Sequence, residues 1–308
     1  MNFLIIGIVL AVLAALILAA GYFAMNLALR RGNALDPLAE QTFQRGMYAR
    51  NGKFLYESSL ALSKIPSEDI EIKSFDGLKL HGRLLPLENA KGTILLFHGY
   101  RSCGDGDFGC AVPLMLSLGY QVLLVDQRSH QQSEGRYITF GILERRDALY
   151  WAREMERRFG SEHPLYLDGI SMGAATVLMA ASLPLPKSVR GIIADSGFSA
   201  PKAIIGSVIR RLHLPVKPLL WLMDLWCRLL AGTSLGAYSA PEAMTHCTIP
   251  VLFLHGKADS LVPWEMTQEN YDACQSRKAL LLVEGADHGE SFLVDRAACE
   301  RAMAEFLK

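Results

Sequence analysis

The sequence predicts an α/β domain, a mostly parallel sheet wrapped by helices, carried on one N-terminal membrane helix. Three observations support this. Short apolar runs alternate with helical stretches from about residue 70 to the C-terminus, as expected for parallel strands covered on both faces. The strings GISMG (169–173), HGKADSLVP (255–263) and GADHGES (285–291) each begin at or follow one of those runs. Residues 3–25 carry no charged side chain.

The N-terminal run is long enough to span, since about 20 residues at ~1.5 Å each cross the hydrocarbon core. A cleaved signal peptide has a basic start and a shorter apolar stretch. Here Asn2 precedes the run, so an uncleaved transmembrane anchor is expected over residues 1–29. Arg30, Arg31, Arg45, Arg50 and Lys53 follow it and no Lys or Arg precedes it. The positive-inside bias then puts the body in the cytoplasm, with an external body on an ordinary signal anchor as the alternative. Residues 30–66 read as a juxtamembrane linker. Within it, 38–47 and 54–62 have helical spacing and are expected to pack on the domain rather than lie along the bilayer.

Residues 70–75 and 78–87 alternate like a hairpin about Asp76-Gly77. The later strands are expected at 93–97, 121–126, 165–169, 191–196, 251–256 and 279–285. Helices are expected at 108–118, 143–159, 171–182, 264–273 and 291–307.

With 308 residues and zero formal net charge, the chain can build one large core and shows no electrostatic footprint for nucleic acid. The six cysteines form no CxxC pair, so zinc is not expected. They read as reduced and buried, with a Cys103–Cys110 bridge as the alternative across a Gly/Asp-rich loop.

Ligands of such sheets bind beyond the carboxyl ends of the strands, where Ser171, Asp259 and His288 all lie. Ser171 between strand and helix sits on a turn that side chains at 169 and 173 would obstruct. The turn exposes its hydroxyl at a helix N-terminus. A G-x-S-x-G string alone is weak, and Ser171 as a plain N-cap is the duller reading. His288 is suited to take the serine proton and return it to a leaving group. His98 and His255 read as structural, hydrogen-bonded residues. His81, His130, His163, His213 and His246 read as surface or packing residues. Asp259 would orient the imidazole, with Asp195 and the adjacent Asp287 as rivals. The oxyanion donors would be the backbone N–H groups of Met172 and Tyr100, with Arg101 next.

Taken in order, HGY at 98–100, DQRSHQQSEG at 126–135, GISMG, HGKADSLVP and GADHG resemble the α/β-hydrolase superfamily from about residue 70 onward. Within it the chain is similar to membrane-anchored bacterial hydrolases of the serine aminopeptidase and monoacylglycerol lipase-like group. The resemblance implies an eight-stranded, mostly parallel sheet flanked by helices over 67–308, no metal and no cofactor. It also implies a small helical lid over 198–247, with two helices joined near Pro215 and Pro218. Ser129-His130-Gln131 departs from the glycines many relatives carry there. The second lid helix leaves little polar surface and needs cover from the domain, an acyl chain or the bilayer. The expected activity is hydrolysis of a small carboxylic ester, lipid-like or an acylglycerol, through an acyl-enzyme. Peptide, amide or thioester cleavage would use the same triad. A membrane-tethered binding protein on a hydrolase fold is the non-enzymatic alternative.

Overall fold

The computed structural model describes residues 2–44 and 46–308. Helix α1 (Asn2–Leu29) is long and apolar enough to cross a membrane, with a mean hydropathy of 3.2 over its most apolar 18 residues. Residues 3–20 are exposed on every side, whereas Gly21, Met25 and Leu29 are buried. That spacing of four places the buried residues on one helix face, so only the last turns of α1 dock. Helix α2 (Glu40–Phe43), a 3₁₀ turn (Gly46–Asn51) and α3 (Gly52–Ser63) follow. Phe43, Leu55 and Leu62 are buried, so this segment packs on the body. Arg45, part of the charge argument and of the expected 38–47 helix, lies outside the described residues.

The strands are β1 (Glu68–Lys73), β2 (Lys79–Leu85), β3 (Gly92–Phe97), β4 (Tyr120–Val125), β5 (Leu165–Ile170), β6 (Val189–Asp195), β7 (Val251–Gly256) and β8 (Lys278–Val283). They form one eight-stranded sheet in the order β1-β2-β4-β3-β5-β6-β7-β8. β2 runs antiparallel to β1 and β4, and the other pairs are parallel. Successive residues feed opposite faces. Leu95 and Leu123 join the core on one side, while Ile94 and Leu124 join the core on the other. β8 departs from the expected double cover, because it is an edge strand and most of it stays partly open.

The helices of the body are α4 (Gly104–Phe108), α5 (Val112–Ser117), α6 (Glu144–Phe159), α7 (Met172–Ala180), α8 (Pro201–Arg211), α9 (Val216–Leu230), α10 (Ala240–Met244), α11 (Glu265–Ala273), α12 (Ser291–Val294) and α13 (Arg296–Phe306). Two expected helices are broken. The one at 108–118 is split, because Pro113 cannot donate into a continuing helix and instead sits in the first turn of α5. The one at 291–307 is interrupted at Asp295, whose carboxylate caps α13 by accepting from Ala298 N–H at 3.0 Å.

Candidate active site

β5 ends at Ile170 and α7 begins at Met172, leaving Ser171 alone in the turn at φ 56°, ψ −113°. For a residue with a Cβ this conformation costs about 1–3 kcal/mol and persists only where the surroundings enforce it. A Cβ at Gly173 would collide with the Phe97 carbonyl, and one at Gly169 with the Gly173 peptide. The two glycines therefore let α7 start directly against the end of β3. Ser171 N–H donates to the Asp195 carbonyl at 2.8 Å, and its own carbonyl accepts from Ala175 at 3.0 Å.

Asp259 lies in the turn after β7. Leu261 and Val262 N–H donate to its Oδ1 at 2.8 and 2.7 Å. Its Oδ2 meets His255 Nε2 at 3.0 Å and His288 Nδ1 at 2.7 Å. Burial by itself raises the Asp259 carboxyl, but the hydrogen bonds from His255 and His288 and the latter's charge outweigh it. The group is held well below the usual carboxylate range. On its other side, His288 Nε2 lies 2.9 Å from Ser171 Oγ. With Nδ1–H donated to the carboxylate, Nε2 carries the lone pair facing the serine hydroxyl.

The rival carboxylates have other partners. Asp195 Oδ1 accepts from the hydroxyls of Ser196 and Ser291, each at 3.0 Å. Asp287 accepts from Ser260 N–H at 2.7 Å and from His288 N–H at 2.7 Å. It thereby ties the loop carrying Asp259 to the loop carrying His288.

The loop after β3 faces the same point. Gly99 N–H donates to Asp107 Oδ2 at 2.6 Å and Arg101 N–H to His130 Nε2 at 3.0 Å, with Tyr100 between them. His130 was expected at the surface or in packing. It is buried beneath this loop, its ring 4.8 Å from that of His98. Burial, reinforced by the neighbouring His98, pushes the His130 imidazole down to about 3, so it stays neutral and accepts. The departure from glycine is accommodated by left-handed backbone at Ser129 (φ 64°) and Gln131 (φ 40°). Ser129 Oγ supports the bend by donating to the Tyr137 carbonyl at 2.9 Å. His98 and His255 are buried and hydrogen-bonded. Among the described residues no three His, Cys, Asp or Glu side chains are arranged to hold a metal ion, and the six cysteines are free thiols.

Residues 92–215 match the α/β hydrolase fold family, and 221–308 match the family described as TAP-like protein. The chain belongs to the α/β-hydrolase superfamily. YqkD of Bacillus subtilis is 27% identical over 258 residues, 83% of each chain. Lysophosphatidylserine lipase ABHD12 of Danio rerio is 28% identical over 200 residues, 63% of this chain and 50% of that protein. A Pyrococcus furiosus esterase superposes with a TM-score of 0.64 at 24% identity, covering 80% of this chain and 94% of that one, and so shares the fold.

In this α/β-hydrolase, two cavities meet at Ser171. One of about 120 Å³ is lined by Ser102, Asp107, Gly289 and Glu290, with Leu55 of α3 over it. The other, about 480 Å³, lies under α8 and α9. Its wall includes Ala24, Leu27 and Ala28 of α1, residues that the sequence assigns only to an anchor. α1 is clamped there. Trp226 Nε1–H donates to the Leu18 carbonyl at 2.9 Å and Tyr100 OH to the Ala28 carbonyl at 2.7 Å. A Cβ at Gly21 would stand 2.6 Å from Leu222 Cβ, so glycine permits the close approach. Gly21, Ala24 and Ala28 fall on one side of α1, a pattern of helix–helix contact, but Gly7, Ala11, Ala14, Ala15, Ala19 and Ala20 are equally small, so the sequence did not single that side out.

Proposed function

We propose that this protein is a serine hydrolase that cleaves carboxylic esters through an acyl-enzyme, with Ser171 as nucleophile, His288 as base and acid, and Asp259 as the orienting carboxylate. The observation that carries the reading is the unbroken line from Ser171 Oγ to His288 Nε2 at 2.9 Å and from His288 Nδ1 to Asp259 Oδ2 at 2.7 Å. Ser171 Oγ attacks the ester carbonyl as its proton passes to His288 Nε2. The tetrahedral oxyanion is held by the N–H groups of Met172, at the free start of α7, and Tyr100. The same proton then goes to the departing alkoxide, and the acyl group stays on Ser171. A water molecule, deprotonated by His288, attacks the acyl carbonyl and the carboxylic acid leaves. Throughout, the low pKa of Asp259 keeps it ionised, so it balances the imidazolium that forms at each step.

The larger cavity suits an apolar acyl group. Of its lining side chains only Tyr100 and Ser171 carry a polar atom, and the Tyr100 hydroxyl is engaged with Ala28. A lipid-like ester is therefore the proposed substrate class, and a relative named as a lysophosphatidylserine lipase supports it. Residues 198–247 act as the lid, 1–29 as the membrane anchor, 30–66 as the segment joining it to the catalytic domain at 67–308. The cluster Arg30, Arg31, Arg50 and Lys53 favours a cytoplasmic body.

The test is labelling with a fluorophosphonate serine probe. Wild type should label, and Ser171→Ala and His288→Ala should not. Folded wild type that resists the probe and leaves short-chain 4-nitrophenyl esters intact would defeat the proposal.

A further inference from the structure

The last turns of α1 do more than hold the body near a bilayer. Gly21 abuts Leu222 while Leu18 bonds Trp226, so α9 runs antiparallel along α1, and the cavity reaching Ser171 lies in the angle they make with α8. About 480 Å³ falls within the ~300–1,000 Å³ that small-molecule ligands occupy. Four of the lining residues are also exposed: Leu27 on α1, Val208 on α8, and Leu212 and Leu214 just after it. They mark the mouth, and an open apolar rim of this kind is unfavourable toward water.

The position of the mouth along α1 decides what it faces. Residues 3–20 are exposed on every side, and 18 residues at ~1.5 Å make about 27 Å, close to the ~30 Å hydrocarbon core. Leu27 lies seven residues further, only about 10 Å beyond that run. Trp221, on α9 beside the Gly21 contact, is 65% exposed, as an interfacial aromatic would be. The exposed apolar residues of the anchor thus extend to Leu27 at the rim, where Asn26 and the exposed Arg211 and His213 are its polar neighbours along the chain.

We infer that α1 is a wall of the acyl-chain site, so that the substrate is a bilayer-resident ester whose chain passes from the membrane between α1 and α8 to Ser171. This rests on the serine-hydrolase reading above and adds the route by which its lipid-like substrate reaches Ser171. The chain stays in apolar surroundings along the path. The ester carbonyl arrives at Ser171, and the alcohol portion falls in the smaller cavity beside Ser102 and Glu290.

The experiment uses the full chain in lipid nanodiscs and a series of 4-nitrophenyl esters from acetate to laurate. Ala24→Trp, which fills the cavity from the α1 side, should lower the laurate-to-acetate ratio of kcat/KM by about tenfold or more. Leu10→Trp, on the bilayer-facing stretch, should leave that ratio unchanged. An unaltered ratio in Ala24→Trp overturns the inference. Because a tryptophan at 24 can also lever α1 off α9, a second measurement uses wild type alone. A long-chain alkyl fluorophosphonate ending in a diazirine is attached to Ser171 and photolysed. Cross-links to residues 24–28 are expected, and cross-links confined to residues 67–308 would overturn the inference while leaving the hydrolase reading intact. Wild type inert to every fluorophosphonate and every ester would remove both.

Discussion

The floor and the roof of the site are built on opposite principles. In the floor, every polar side-chain atom of Ser171, His288 and Asp259 has a partner at 2.7–3.0 Å, and the backbone at Ser171 is held in a strained turn. In the roof, α1, α8 and α9 enclose a space with almost no polar atoms, and bonds such as Trp226 to Leu18 and Lys202 to Asp224 tie the helices to one another at residues that do not line it. Directional bonds in a buried setting fix atoms to the tolerance chemistry needs. Apolar packing fixes only shape and volume, which suffices to select a chain. The difference teaches that loss of one floor atom should abolish turnover, whereas changes in the roof should redistribute it among substrates.

The largest expected effect is at the floor. Ser171→Ala should lower kcat by a factor on the order of 10⁶, read in nanodiscs with a short ester. Asp259→Asn should come next, at roughly 10⁴, because the amide favours the wrong histidine tautomer. A loss of under tenfold at Asp259 would mean that another carboxylate orients His288. Asp287→Ala removes the tie between the two loops and should cost on the order of a hundredfold in kcat/KM with smaller change in melting temperature, since it displaces groups without removing one.

Acid should also distinguish the two regions. His130 is lowered to about 3 in the fold against about 6.5 unfolded, so between those values the unfolded chain binds the extra proton. The His130 contribution to stability is therefore complete above about pH 6.5 and declines as pH falls toward 3, by up to ~1.4 kcal/mol per unit. Asp259, depressed in the fold, adds stability above its ordinary value of 3.8 that is lost at still lower pH. His130→Gln should flatten the upper part of this profile in denaturant titrations, and an unchanged slope would remove His130 as its source. The smallest effect belongs to the roof. Trp226→Phe deletes the bond to Leu18 and should cost about 1 kcal/mol of thermal stability, with little change in short-ester turnover. A large loss of turnover there would show that the roof constrains the floor.

Much of this was legible in the chain. Each expected strand is present within a few residues, because a run of alternating or continuous apolar residues carries its period locally. The turn at Ser171 was legible because its steric demand falls on residues two positions away. The broken helices were less so, since Pro113 and Asp295 act through one missing or one added hydrogen bond within otherwise helical text. The reading of His130 as a surface or packing residue did not reveal its specific role, because that depends on Arg101 and His98, which meet it only when β3 and β4 lie side by side.

By itself the sequence determined the α/β class, the order of the strands along the chain and the three strings that supply serine, acid and histidine. Their signals span fewer than ten residues and follow from backbone sterics and hydrogen bonding. Only the tertiary structure decided which carboxylate meets His288, since Asp195, Asp259 and Asp287 all lie near strand ends and differ only in where their side chains are bonded. It alone decided that an N-terminal helix apolar enough to span a membrane walls the larger cavity. Leu18 and Trp226 stand 208 residues apart. An apolar helix face turned toward lipid and one turned toward another helix read alike in sequence, because both are written in the same side chains.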